Sequence, residues 1–115
     1  MWVRVPPILP FYNMKKKCLI RKQFKDSVLK RDKYKCVFCE ETKELDAHHI
    51  TDRKEMLNGG YVLSNGITLC ENHHWHAEQF HISGGKTWID GFHPLNLYML
   101  INSSKEKAIE DSLKL

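Results

Sequence analysis

Two short-spaced pairs of metal-binding residues, Cys36-Val37-Phe38-Cys39 and Cys70-Glu71-Asn72-His73, constrain this chain more than any other feature of its sequence. A two-residue gap lets both members of a pair turn toward one ion, and three cysteines with one histidine close a tetrahedron around zinc with no open position. The ligands are therefore structural, and the fold must bring two distant segments together. A redox Cys-x-x-Cys would need a strand–helix–strand setting, which the flanking sequence does not offer. At 115 residues the chain is one domain's worth of sequence. So small a core gains much from a metal, because structural zinc adds about 10 to 16 kcal/mol of apparent binding energy. Three of the four cysteines fall in these pairs, which suits a reducing compartment better than a disulfide framework. Cys18 stands alone.

Overlapping the second pair is a histidine-rich stretch, Leu45 to Phe80, with five of the chain's seven histidines at 48, 49, 73, 74 and 76. Packing explains such a density poorly, since His is only moderately suited to a core and Glu hardly at all. On a helix, His74 and Glu78 are four apart and share a face, while the neighbouring His73 is rotated toward the cysteines. One helix can therefore serve two metals. With His48 the second set is two imidazoles and a carboxylate, leaving positions open for water and a phosphate oxygen. His49 is then free to act as a base, and His81 competes with Glu78 as a ligand. Adjacent strand residues point to opposite faces, so His48 and His49 share a site only where the strand ends or bulges. Asn65, before Gly66, is first a turn signal, and its amide can also brace the loop by bonding backbone groups across it.

The expected order of elements is helix, knuckle, strand, long loop, strand, helix. Ile20, Phe24 and Val28 form an apolar stripe that predicts a helix over 14–31. Alternation predicts strands over 45–50 and 66–69. Cys70 opens a helix running to Phe80 or His81, with Ser83-Gly84-Gly85 as its stop. Pro94 starts a further helix with Leu97, Leu100 and Ile101 on one side, and the tail extends it or forms another. Pro6, Pro7 and Pro10 oppose regular structure in the first residues, which are expected to be an extended arm. The fold class is α+β: a 1–21 basic arm, a 22–82 core and an 83–115 helical extension.

The net charge of +4 is less informative than its distribution, for 14–35 carries ten of the eighteen Lys and Arg against Asp26 and Asp32. That excess attracts a polyanion's backbone. Lys22, Lys25, Lys30 and Arg31 are the candidate contacts, together with Arg53, which either assists at a phosphate or sits on the surface. The apolar start lacks the order of a secretory signal and the length of a membrane span, so an intracellular protein with no membrane partner is expected.

The residues VLKRDKYKCVFCEETKELDAHHI and NGITLCENHHWHAE, about half the chain, resemble the HNH endonuclease family of the ββα-metal type. The resemblance implies a metal-dependent enzyme that hydrolyses DNA to 5′-phosphate and 3′-hydroxyl ends. It makes His49 the general base, His48 and His74 ligands of the catalytic metal, and Asn65 the brace between the strands. Glu78 stands where relatives often have a further histidine ligand, and an oxygen ligand there suits magnesium or manganese. Cys36, Cys39, Cys70 and His73 match the structural zinc ligands, with Cys-x2-His where Cys-x2-Cys is common. The rival reading is a non-catalytic, zinc-stabilised DNA-binding module, which would not need His48, His49 and His74 to converge.

Overall fold

The computed structural model describes the backbone of residues 5–115, with side chains from residue 16 onward. In chain order the elements are α1 (Val5–Arg31), β1 (Leu45–His49), β2 (Gly66–Cys70), α2 (Glu71–Ile82), α3 (Pro94–Leu100) and α4 (Lys105–Leu113). The strands pair antiparallel, with His48 opposite Ile67 and His49 opposite Gly66. This is an α+β fold: a small ββα unit of β1, β2 and α2, flanked by N- and C-terminal helices.

The apolar stripe of α1 is buried at Phe24 and Val28 and half-buried at Ile20, while the lysines between them stay in solvent. Residues 5–13, expected to be extended, instead continue this helix, which runs through the expected boundary at 21/22. Pro6 and Pro7 fall in the first turn, where backbone N–H groups have no intrahelical acceptor in any case. Pro10 forfeits a single further bond. The part of the expected arm over 1–4 lies outside the described residues.

Where α1 ends, it is stapled to β2. Asp32 Oδ2 accepts from the Thr68 N–H at 2.9 Å, and Arg31 donates to the carbonyls of Leu63 at 2.8 Å and Gly66 at 2.6 Å. The helix lies so close that a Cβ at Gly66 would overlap the Val28 and Phe24 side chains. Glycine is needed there for close approach.

Ile67 and Leu69 of β2 are fully buried and meet Ile50, Ala77 and Leu97 in the core. Helix α2 starts after Cys70, has Glu71 in its first turn to complement the helix dipole, and ends before Ser83 and Gly84, the latter at φ +68°. Pro94 opens α3, where His93 Nδ1 accepts from the Leu95 N–H at 3.1 Å. The inward side of α3 carries Leu97 and Tyr98, whereas Leu100, expected inside, is 51% exposed. The tail forms its own helix, α4, capped by Ser104 Oγ accepting from the Lys107 N–H.

The long connection from Thr51 to Asn65 contains three short 3-10 turns, at Arg53–Glu55, Leu57–Gly60 and Leu63–Asn65. It leans on α4. Ser112 Oγ donates to the Leu57 carbonyl at 2.6 Å and accepts from the Gly60 N–H at 3.1 Å, and Ser64 Oγ donates to Asp111 Oδ2 at 2.7 Å. No helix among the described residues is long and apolar enough to cross a membrane.

Candidate active site and zinc centre

The two short-spaced pairs meet. Cys36 Sγ lies 3.5 Å from His73 Nδ1, Cys70 Sγ lies 3.3 Å from the same nitrogen, and Cys39 Sγ lies 3.7 Å from Cys70 Sγ. All four ligand atoms fall within 4.8 Å of one another. With a Zn–S bond of about 2.3 Å and a Zn–N bond of about 2.0 Å, the edges of a tetrahedron come to about 3.5 to 3.8 Å, so the set could hold a zinc ion. Thiols this crowded interfere with one another. Although the Glu41 backbone favours the Cys39 thiolate, burial and its neighbours Cys70 and Cys36 push that thiol up to about 11. Burial opposes ionisation of Cys36, yet backbone N–H groups of Cys70, Cys39 and Phe38 outweigh it and leave that thiol below its ordinary value. A cation relieves this conflict by taking all three as thiolates. Phe38 and Phe92, stacked at 4.4 Å, cover the His73 ring.

The second constellation lies on the other side of α2. His73 turns to the cysteines and the next residue, His74, turns to a cleft of about 640 Å³, whose floor includes His49, His74, Glu78 and His81. His48 and His49 both lie within β1, paired with Ile67 and Gly66, and so point to opposite faces. His48, 1% exposed, points under the floor toward α2, with Nδ1 at 3.2 Å from Glu78 Oε1. His49 points toward α1 and is held between Phe24, stacked at 4.5 Å, and Tyr61, edge-on at 4.7 Å. His49 thus lines the cleft directly, whereas His48 meets it through Glu78.

Histidine nitrogens in this region lack partners. His48 Nδ1, His49 Nε2 and His81 Nδ1 are buried and without a hydrogen bond, the His48–Glu78 approach being off the hydrogen-bonding line. Unpaired buried nitrogens are costly, about 1 to 3 kcal/mol each. The tightest grouping is His48, Glu78 and His81, with ligand atoms mutually within 4.8 Å. His74 stands at its edge, Nε2 at 3.4 Å from Glu78 Oε1 and Nδ1 at 3.7 Å from Asp46 Oδ2. A second cation fits these donors. The His48 and His74 imidazoles beside it hold the Glu78 carboxyl well below the usual range, so it is ionised and ready to bind one. Burial depresses His48, and burial followed by the nearby His48 and Arg53 brings His49 down to about 4. His49 is therefore neutral at pH 7 and able to accept a proton.

Asn65 is completely buried and uses its amide four times. Oδ1 accepts from the Thr51 N–H at 2.9 Å and the Tyr98 hydroxyl at 2.7 Å, and Nδ2 donates to the Thr51 and Gly60 carbonyls, each at 3.1 Å. Its backbone carbonyl accepts from the Ile50 N–H at 2.9 Å. The residue ties the exit of β1, beside His49, to the entry of β2.

Lys25 and Arg53 line the cleft, Lys25 at 3.7 Å from Asp46 and Arg53 donating to the Tyr61 hydroxyl at 3.2 Å. Burial raises the Tyr61 phenol, but the Arg53 and Arg21 guanidinium groups outweigh it and set it below its ordinary value. Lys30 is exposed, and Lys22 is bonded to Asp26 on the solvent side of α1. Arg31 departs from expectation: Asp32 and the Leu63 and Gly66 carbonyls engage its guanidinium, so it holds α1 to β2 instead of facing a ligand. Three further residues join the site beyond those the sequence singles out. Arg21 is one of the helical cations in sequence, but its cleft position depends on the tilt of α1. The spacing of Phe24 indicates only core, and Tyr98 carries no sequence signal.

Residues 36–83 match the family model described as HNH endonuclease. No curated protein and no solved structure matches the chain. The family match ends before α3, so Tyr98 and all of α4 lie outside it.

Proposed function

We propose that this protein, whose residues 36–83 carry the HNH endonuclease match, is a metal-dependent endonuclease that hydrolyses DNA to 5′-phosphate and 3′-hydroxyl ends. The observation that carries the reading is the pair of unpartnered imidazole nitrogens of His48 and His81 grouped with the ionised Glu78 carboxylate, beside a basic cleft that His49 lines. A binding module has no use for such an arrangement, which costs stability.

His49 takes the proton from a water molecule placed for in-line attack on phosphorus. Its neutral state and its fixed ring, gripped by Phe24 and Tyr61, prepare it for that role. His48, His74 and Glu78 are the proposed ligands of a divalent ion, magnesium or manganese, that when bound offsets charge on the phosphate and on the departing 3′ oxygen. Lys25 and Arg53, with Lys22 and Lys30 further along, hold flanking phosphates with little sequence information. Asn65 braces the loop that sets His49 against Tyr61. Cys36, Cys39, Cys70 and His73 bind the structural zinc that fixes where α2 starts.

Supercoiled plasmid provides the test. With magnesium or manganese the protein should convert it to open circles or linears, and His49→Ala should lower the rate by about 10² to 10⁴ while leaving folding and DNA binding intact. Near wild-type cutting by His49→Ala would remove that residue from the mechanism.

A further inference from the structure

We infer that His81 is a ligand of the same ion as His48 and Glu78, and that it turns the site toward first-row transition ions such as manganese, cobalt, nickel or zinc, away from magnesium. The inference rests on the active-site reading above and deepens it. His74, Glu78 and His81 follow one stripe of α2, at spacings of four and three, so the helix itself aims all three at one place. The His81 Nε2 lies 2.9 Å from the His49 carbonyl oxygen. A carbonyl only accepts, so Nε2 carries the proton and Nδ1 keeps the lone pair.

That lone pair is buried and unpartnered, and a ring nitrogen of His81 lies within 4.8 Å of the ligand atoms of His48 and Glu78. The His48 and His81 rings stack with centroids 5.1 Å apart and planes 23° apart. Metal-binding histidines ordinarily donate their second ring nitrogen to a carboxylate or backbone carbonyl, which fixes the tautomer and strengthens the donor. His81 already has that arrangement. Its acceptor belongs to His49, so the contact that prepares the ligand also holds the backbone of the proposed base.

The donor set becomes imidazole-rich, with Glu78 as its anionic member. Magnesium favours oxygen donors and keeps most of its water, whereas borderline ions accept imidazole readily.

The test uses the full chain with its structural zinc in place, titrated calorimetrically with manganese and with magnesium. Wild type should take up one manganese ion at least tenfold more tightly than magnesium. His81→Gln keeps an N–H donor for the His49 carbonyl but removes the imidazole lone pair, and should weaken manganese binding by about tenfold or more while narrowing the preference over magnesium. Unchanged manganese affinity in His81→Gln would overturn the assignment. Should that variant fold poorly, wild-type ring-nitrogen NMR with added zinc decides instead: Nδ1 of His81 must shift on binding while Nε2 stays protonated, and a silent Nδ1 refutes the inference. If wild type binds no second ion, the metal-dependent function falls with it. Binding that bypasses His81 overturns this inference alone.

Discussion

Replacing Tyr98 with Phe removes one oxygen atom and tests whether a helix outside the family match supports the site. The Tyr98 hydroxyl donates to Asn65 Oδ1 at 2.7 Å and lies 2.6 Å from Thr51 Oγ1, all in buried surroundings. Because Asn65 Oδ1 still accepts from the Thr51 N–H, it loses one of two bonds, whereas the Thr51 hydroxyl loses the only side-chain partner it has in this network. At about 0.5 to 1.5 kcal/mol for each lost bond, plus part of the penalty for an unpaired hydroxyl, Tyr98→Phe should cost about 2 kcal/mol. For a chain of this size that corresponds to a fall in Tm of about 6 to 10 °C. Calorimetry gives the magnitude, and a double-mutant cycle with Thr51→Val gives the coupling. The single change should also lower kcat more than it weakens DNA binding, since Asn65 ties the two strand ends beside His49. A variant as stable as wild type, with additive effects in the cycle, would refute the network argument.

Cys36→Ser should abolish zinc retention and lower Tm steeply, read by metal analysis and calorimetry on the same sample, because structural metal energy is folding energy. An unchanged Tm with zinc still bound would contradict the structural role. Arg31→Ala and Lys25→Ala should separate two uses of positive charge. Arg31→Ala should destabilise the fold yet leave the salt dependence of DNA affinity intact, whereas Lys25→Ala should leave Tm nearly unchanged and reduce the slope of log K against log salt by about 0.9. Binding isotherms at several salt concentrations check both. Equal slopes for Lys25→Ala and wild type would take Lys25 off the phosphate path.

The parts of this fold legible in sequence are those set by local spacing. The Phe24–Val28 stripe, the two short-spaced pairs, the alternation around His48 and the adjacent assignment of His73 and His74 to different faces of α2 all follow from period and ligand geometry. Other features depend on contacts that spacing does not encode. Arg31 looked like one more cation on a basic helix, and only the carbonyls of Leu63 and Gly66, distant in sequence, show why it turns inward. The inward side of α3 includes Tyr98 because a buried acceptor, Asn65, waits for its hydroxyl, and hydrophobic period alone favoured Leu100. The helix over 5–13 is not legible in sequence, because three prolines mask the tolerance of a helix's first turn for that residue. His81 appeared only as a competitor of Glu78, since the bond that fixes its tautomer comes from the far strand.

Helix α2 presents His73 to the cysteines and His74, Glu78 and His81 to the cleft. On the proposed two-metal reading, this single rigid rod makes the metals unequal partners in time. A chelator should silence the protein on two clocks: a rapid loss, cured by returning the exchangeable ion, and a slow one set by departure of the enclosed zinc. Once the slow loss has occurred the rod has lost its anchor, and manganese added back would find its donors scattered.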